Sequence, residues 1–204
     1  SQSARSPIAT IGHNPALLAL ANHLLDTPLD SFPTGAALQI TLPGESWRQV
    51  ARQTGEHTAL LLPEHLDYKL FARKAPKAPD LDGAQFIRRI PESLAHQAQL
   101  IEALEPGVRL GHDPEFLHQF RINLRRSRAI AEALQRITKD KSLDKGIKGL
   151  KRQAQATSQL RDLDVFLETL SAWRDIPERS AVIDSLGIEP IFRNEQTDEH
   201  QRLC

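Results

Sequence analysis

Residues Leu117–Arg128 read LHQFRINLRRSR, and the spacing of their cations decides the fold class. A helix turns about 100° per residue, so His118, Arg121, Arg125 and Arg128 fall within a sector of roughly 80°. Phe116, Phe120, Leu124, Ala131 and Leu134 share the opposite side. One helix therefore buries an apolar stripe and presents a cationic one. Most charged stripes only keep a helix solvated, but the sequence around this one adds to its charge.

Downstream, Gly149–Leu170 read GLKRQAQATSQLRDLDVFLETL, and Lys148 just before it clusters with Lys151 and Arg152 on one side of another expected helix. From His118 to Arg152 eleven Lys and Arg face only Glu132, Asp140 and Asp144, an excess of eight positive charges with His neutral. The whole chain balances 26 Lys and Arg against 26 Asp and Glu, so the excess is a local concentration. Such a field costs self-repulsion and is expected where a polyanion docks.

The phrases HQFRINLRRSR (His118–Arg128) and LRDLDVF (Leu160–Phe166), at this separation, resemble the CHAD family, the conserved histidine α-helical domain. The resemblance runs from about Gln85 to the end of the chain. It implies an all-helical fold of two similar four-helix bundles facing one another across a basic groove that binds inorganic polyphosphate. Carried onto this sequence, the family's His is His118, its motif arginines are Arg121, Arg125, Arg126 and Arg128, and its Arg-Asp-x-Asp signature is Arg161, Asp162 and Asp164. With Lys148, Lys151 and Arg152 these cations make up the expected polyphosphate-binding set. No second His-and-Arg helix precedes Cys204, so one bundle is expected, and a second copy of the chain would complete the groove. For Arg161 two readings stand side by side: anion contact, or a local pair with Asp164 three residues on, a contact worth only about 0.2–0.5 kcal/mol if exposed. The aspartates favour architecture.

A different signal opens the chain. In SPIATIGHNPALLALANHLL (Ser6–Leu25), Ile8–Ile11 predict a short buried strand and Asn14-Pro15 a helix start. His13 would then stand at a strand end beside a helix N-terminus, where an anion is favoured. Together with FPTGAALQITLPGESW (Phe32–Trp47), which predicts a strand at about Ala36–Leu42, the segment resembles the C-terminal half of the phosphohistidine phosphatases of the histidine phosphatase superfamily, with the phosphoglycerate mutase fold. The resemblance covers about residues 1–66 and makes His13 the second catalytic histidine, one that steadies the transferring phosphoryl group. The family's Arg-His-Gly nucleophile motif does not occur in this sequence, and a covalent mechanism without its nucleophile has no first step. The expectation is a partial α/β segment, a fragment with no turnover of its own.

The fold class read from sequence is therefore mostly α: a partial histidine-phosphatase-like α/β segment (1–66), a linker (67–84) rich in proline and charge, and a helical bundle (85–204). Helices are expected near Gln85–Leu104, Pro114–Ile137, Ser142–Trp173 with a break, and beyond Arg179. Asp113-Pro114-Glu115 marks the clearest start, an N-cap followed by proline and an acid. Hydrophobic residues at 40% with only 5% aromatic suit a helix-rich protein. No apolar run approaches the roughly 18 residues that span a bilayer, so no membrane association is expected. A single cysteine, Cys204, allows no intrachain disulfide and agrees with a cytoplasmic protein, with polyphosphate granules as its expected place. The histidines lack metal-ligand spacing, so neither metal nor other cofactor is expected.

Three functions follow in order: a polyphosphate-binding module; a parent phosphohistidine phosphatase whose helical part only localises it; and nucleic-acid binding. The third is weakest, since neither Trp nor Tyr falls between His118 and Arg152 to stack on bases.

Overall fold

The computed structural model describes residues 8–44, 50–83 and 85–203; Trp47 and Cys204 lie outside them. The chain divides between Pro63 and Glu64 into two units.

In the first unit, α1 (Ala16–Leu24) precedes an antiparallel hairpin of β1 (Ala37–Thr41) and β2 (Glu56–Leu61), with Ala37 opposite Leu61 and Thr41 opposite Glu56. Leu25, fully buried, bridges to Gly55, where a Cβ would stand 2.7 Å from the Ile40 side chain and 2.9 Å from the Leu24 carbonyl oxygen. β1 lies where the sequence predicts it. The strand expected at Ile8–Ile11 does not form: Ile8 is 64% and Ile11 97% exposed, and the described sheet has only β1 and β2. A strand needs a neighbour for its backbone donors and acceptors, and among the described residues no strand pairs with this segment.

The second unit is helical. α2 (Pro63–Leu66) leads into α3 (Tyr68–Lys74), α4 (Phe86–Leu110), α5 (Pro114–Thr138), α6 (Leu143–Ala156), α7 (Ser158–Arg174), α8 (Pro177–Leu186) and α9 (Ile188–Leu203). No helix among the described residues is long and apolar enough to cross a membrane. α4 runs six residues past its expected end and stops at Gly111, whose φ of 63° supplies the left-handed cap. Asp113 then starts α5 as expected, accepting from the Glu115 N–H at 2.9 Å. The same carboxylate accepts from the Tyr68 N–H at 2.9 Å, tying α3 to the α4–α5 turn.

That bond changes the reading of the 67–84 segment, whose first part is packed helix. Phe71 is buried with Phe116 at a ring separation of 5.5 Å, and Tyr68 meets Phe116 edge-on at 5.6 Å. The core continues through Leu104, Val108, Leu117, Phe120, Leu124 and Leu160. α4 and α5 approach so closely at Gly107 that a Cβ there would lie 2.2 Å from the Phe116 ring. A second, smaller core of Leu167, Leu170 and Ile183 joins α7 to α8, with Ile188 and Phe192 of α9 packed against it.

Candidate functional site

α5 and α6 run antiparallel, and three contacts give their register. Arg121 reaches Ala154 and Thr157, Glu132 reaches Lys151, and Gln135 hydrogen-bonds Asp144. The helical pattern explains which residues line the seam between them. On α5, Phe116, Phe120, Leu124, Ser127 and Ala131 are buried; on α6, Ile147 is buried, with Leu150 and Ala154 against the core. The cations are left at the solvent edge of both helices.

The motif arginines do not share one job. Arg121 is half-buried and donates to the Ala154 carbonyl at 2.7 Å, the Thr157 hydroxyl at 2.8 Å and the Ser158 hydroxyl at 3.3 Å. The last turn of α6 holds no basic residue of its own, so Arg121 brings from α5 the cation that a helix C-terminus favours. Burial lowers its pKa from the ordinary guanidinium value; nearby Asp162 opposes that shift, while Arg161 and Arg125 add to it. An arginine nonetheless remains charged. The α6–α7 break at Thr157, only 2% exposed, is therefore held by a side chain that spacing placed in the binding stripe.

Arg128 lies 3.8 Å from Glu132, which Lys151 approaches at 3.3 Å. Arg125 is exposed on the same sector, and His118, two turns nearer the start of α5, is half-buried. Arg126, about 100° from Arg125 around α5, is exposed on the other flank. Among the described residues, no ion pair engages Arg125, Arg126, Arg136, Lys139, Lys141, Lys145, Lys148 or Arg152. The local acids are already occupied. Asp140 accepts from the Ser142 N–H, which holds its carboxyl below the usual range, and Asp144 accepts from Gln135.

Elsewhere in this unit several cations are matched to acids. Lys74 pairs with Glu64, Arg109 with Glu105, Arg174 with Asp184 and Glu189, Arg193 with Glu189, and Arg202 with Glu199, all at 3.1 Å or less. Arg161 stands 3.9 Å from Asp164 and 4.0 Å from Glu168. Asp164 is buried and accepts from Gln196 of α9 at 2.6 Å. Burial raises its pKa, and the Gln196 hydrogen bond and Arg161 offset part of that rise. Asp164 of the Arg-Asp-x-Asp signature thus joins α7 to α9, with Arg161 beside it on α7.

A cleft of about 390 Å³ has Asp113, Asp164 and Glu168 in its wall beside Arg193 and His200, and another of about 310 Å³ has Glu105 and Glu199. In the first cleft the carboxylates outnumber Arg193 and disfavour a polyanion, and in the second Arg109 and Arg202 are already engaged by Glu105 and Glu199. Along α5 and α6 the cations outnumber the acids, which are Glu132, Asp140 and Asp144.

In the first unit, His13 stands exposed before α1, and its carbonyl oxygen accepts from the Leu17 N–H at 3.4 Å. One of the first donors of α1 is thereby engaged by the chain itself. Sequence reasoning found Asp113 as a cap but missed its link to Tyr68, the Glu132 contact with Lys151 and the packing of Phe71 on Phe116, because each joins residues distant in sequence.

Residues 92–204 match the family model of the CHAD domain. No curated protein and no solved structure matches the chain. Residues before 92 lie outside the matched span, and their resemblance to histidine phosphatases remains a reading of the sequence.

Proposed function

Because this chain belongs to the CHAD domain family, we propose that its helical unit binds inorganic polyphosphate along the α5–α6 seam. The observation that carries this reading is the set of eight Lys and Arg on α5, α6 and the turn between them that no carboxylate in the described structure engages. So dense a group of like charges costs self-repulsion to keep open. A linear polyanion supplies the missing charge at a spacing that tolerates flexible side chains, and it needs no base-stacking aromatics.

Of the residues expected to bind, Arg125, Lys148 and Arg152 fit direct phosphate contact best, with His118, Arg126, Arg128 and Lys151 beside them. Arg121 and Arg161 act mainly through the α6–α7 and α7–α9 packing.

Binding should weaken steeply with salt, by roughly 0.7 in log K per unit of log salt for each phosphate neutralised, by analogy with single-stranded nucleic acids. The test is titration of the full chain with long-chain polyphosphate at several salt concentrations. The triple variant Arg125→Glu, Lys148→Glu, Arg152→Glu should keep its helix content, bind far more weakly and lose most of the salt slope. Unchanged binding in a folded triple variant would overturn the proposal, and equal affinity for duplex DNA would reduce the seam to a nonspecific cationic surface.

A further inference from the structure

One carboxylate interrupts the open seam. Glu132, about one-third exposed, lies 3.8 Å from Arg128 on its own helix and 3.3 Å from Lys151 on α6. Among the described residues no other acid pairs with cations of both helices. At about 1.5 Å of rise per residue, Glu132 stands roughly 10 Å along α5 from Arg125 and 6 Å from Arg136. It therefore sits between two groups of unpaired cations, with Arg125 on one side and Arg136 with Lys145 on the other.

We propose that Glu132 is a built-in counter-ion that bound phosphate displaces from Arg128 and Lys151, and that it makes the seam prefer long polyphosphate chains to short anions. The inference rests on the polyphosphate reading above. A short anion must displace the carboxylate to meet cations of both helices and bears that whole cost, whereas a long chain can also bridge the flanking cations past the intact Glu132 pairs. A long chain recovers that cost because, once held at one group of cations, it meets the other at high effective concentration. A short anion reaches one group and gains nothing from the other.

The experiment compares long-chain polyphosphate with tripolyphosphate on the wild-type chain, Glu132→Gln and Glu132→Ala, with Glu178→Gln of α8 as a charge-matched control. Glu132→Gln should tighten tripolyphosphate binding about fivefold, the Boltzmann factor for one unit charge about 4 Å away in water. Long-chain polyphosphate should gain less, so that the selectivity ratio narrows. The salt slope should steepen by roughly 0.7–1.4 as Arg128 and Lys151 become free to release counter-ions. Glu132→Ala should behave alike, which covers a Gln variant that packs poorly, and the α8 control should change affinity less than twofold.

If the wild type binds polyphosphate with the expected salt dependence but both Glu132 variants leave selectivity and slope unchanged, the counter-ion role is refuted and the binding reading survives. If the folded wild type binds neither probe, both fall together.

Discussion

Arg121 and Arg125 are four residues apart on one helical stripe, and their replacement by Ala should have opposite consequences. Arg121→Ala removes the 2.7, 2.8 and 3.3 Å hydrogen bonds that hold Ala154, Thr157 and Ser158. Bonds to a charged donor contribute about 1.5–3 kcal/mol each when partners are left unmade. The loss here is smaller than the sum, because the Thr157 hydroxyl keeps its bond to the Gln153 carbonyl at 3.0 Å and water can reach part of the site. A net cost of about 2–3 kcal/mol follows, with the favourable cation at the end of α6 included. For a domain of this size that lowers Tm by roughly 5–10 °C. Arg125→Ala removes an exposed side chain with no ion pair, so its stability should stay within about 0.5 kcal/mol of wild type while polyphosphate affinity falls. Thermal melts followed by circular dichroism at 222 nm, paired with the salt titration, separate the two effects. An Arg121→Ala protein that melts with the wild type yet loses affinity as Arg125→Ala does would refute the assignment and make Arg121 a ligand contact.

Gly107→Ala should destabilise the helical unit by at least about 2 kcal/mol, read as a lower urea midpoint, because the new Cβ would lie 2.2 Å from the ring of the fully buried Phe116. Asp164 carries a pH signature. Its folded pKa is raised, chiefly by burial, so the folded state holds a proton that the unfolded state has released. Stability contributed by this group is therefore present below the unfolded carboxylate value and lost as pH rises through the folded pKa. Relative to Asp164→Asn, the wild type should gain stability as pH falls from neutral through the carboxylate range; a constant difference in denaturant midpoint between the two proteins across that range would contradict the assignment. Finally, the chain should hydrolyse no phosphohistidine substrate above background, since His13 has no Arg-His-Gly partner in the sequence. Turnover abolished by His13→Ala would show that a nucleophile had been overlooked.

Much of the helical unit was legible in one dimension because its signals are local. The apolar spacing from Phe116 to Ala131 predicts the buried side of α5, and those residues are buried. Asp113-Pro114-Glu115 predicts the start, and the Asp113 carboxylate caps the Glu115 N–H. The expected break within 142–173 falls at Thr157, and Arg161 lies near Asp164 at the three-residue spacing of one helical face. Periodicity fixes an azimuth on a helix, and these features need nothing more.

What the azimuth cannot supply is the neighbour that meets it. Arg121, Arg125 and Arg128 are equivalent by spacing, yet α6 lies along only one edge of their stripe. Arg121 is consequently drawn into the α6–α7 junction, Arg128 shares Glu132 with Lys151, and Arg125 stays open. Phe71 reads as part of a charged linker until the Asp113 carboxylate takes the Tyr68 N–H and the Phe116 ring receives it. Ile8–Ile11 reads as a strand because its residues suit one, but strand formation depends on backbone partners elsewhere, and the described residues provide none there. The sequence alone determined which surfaces are apolar and which are cationic, since that information repeats every turn. Tertiary structure alone decided which of the cations are spent on packing and which remain for a ligand, because pairing is settled by contacts between residues tens of positions apart.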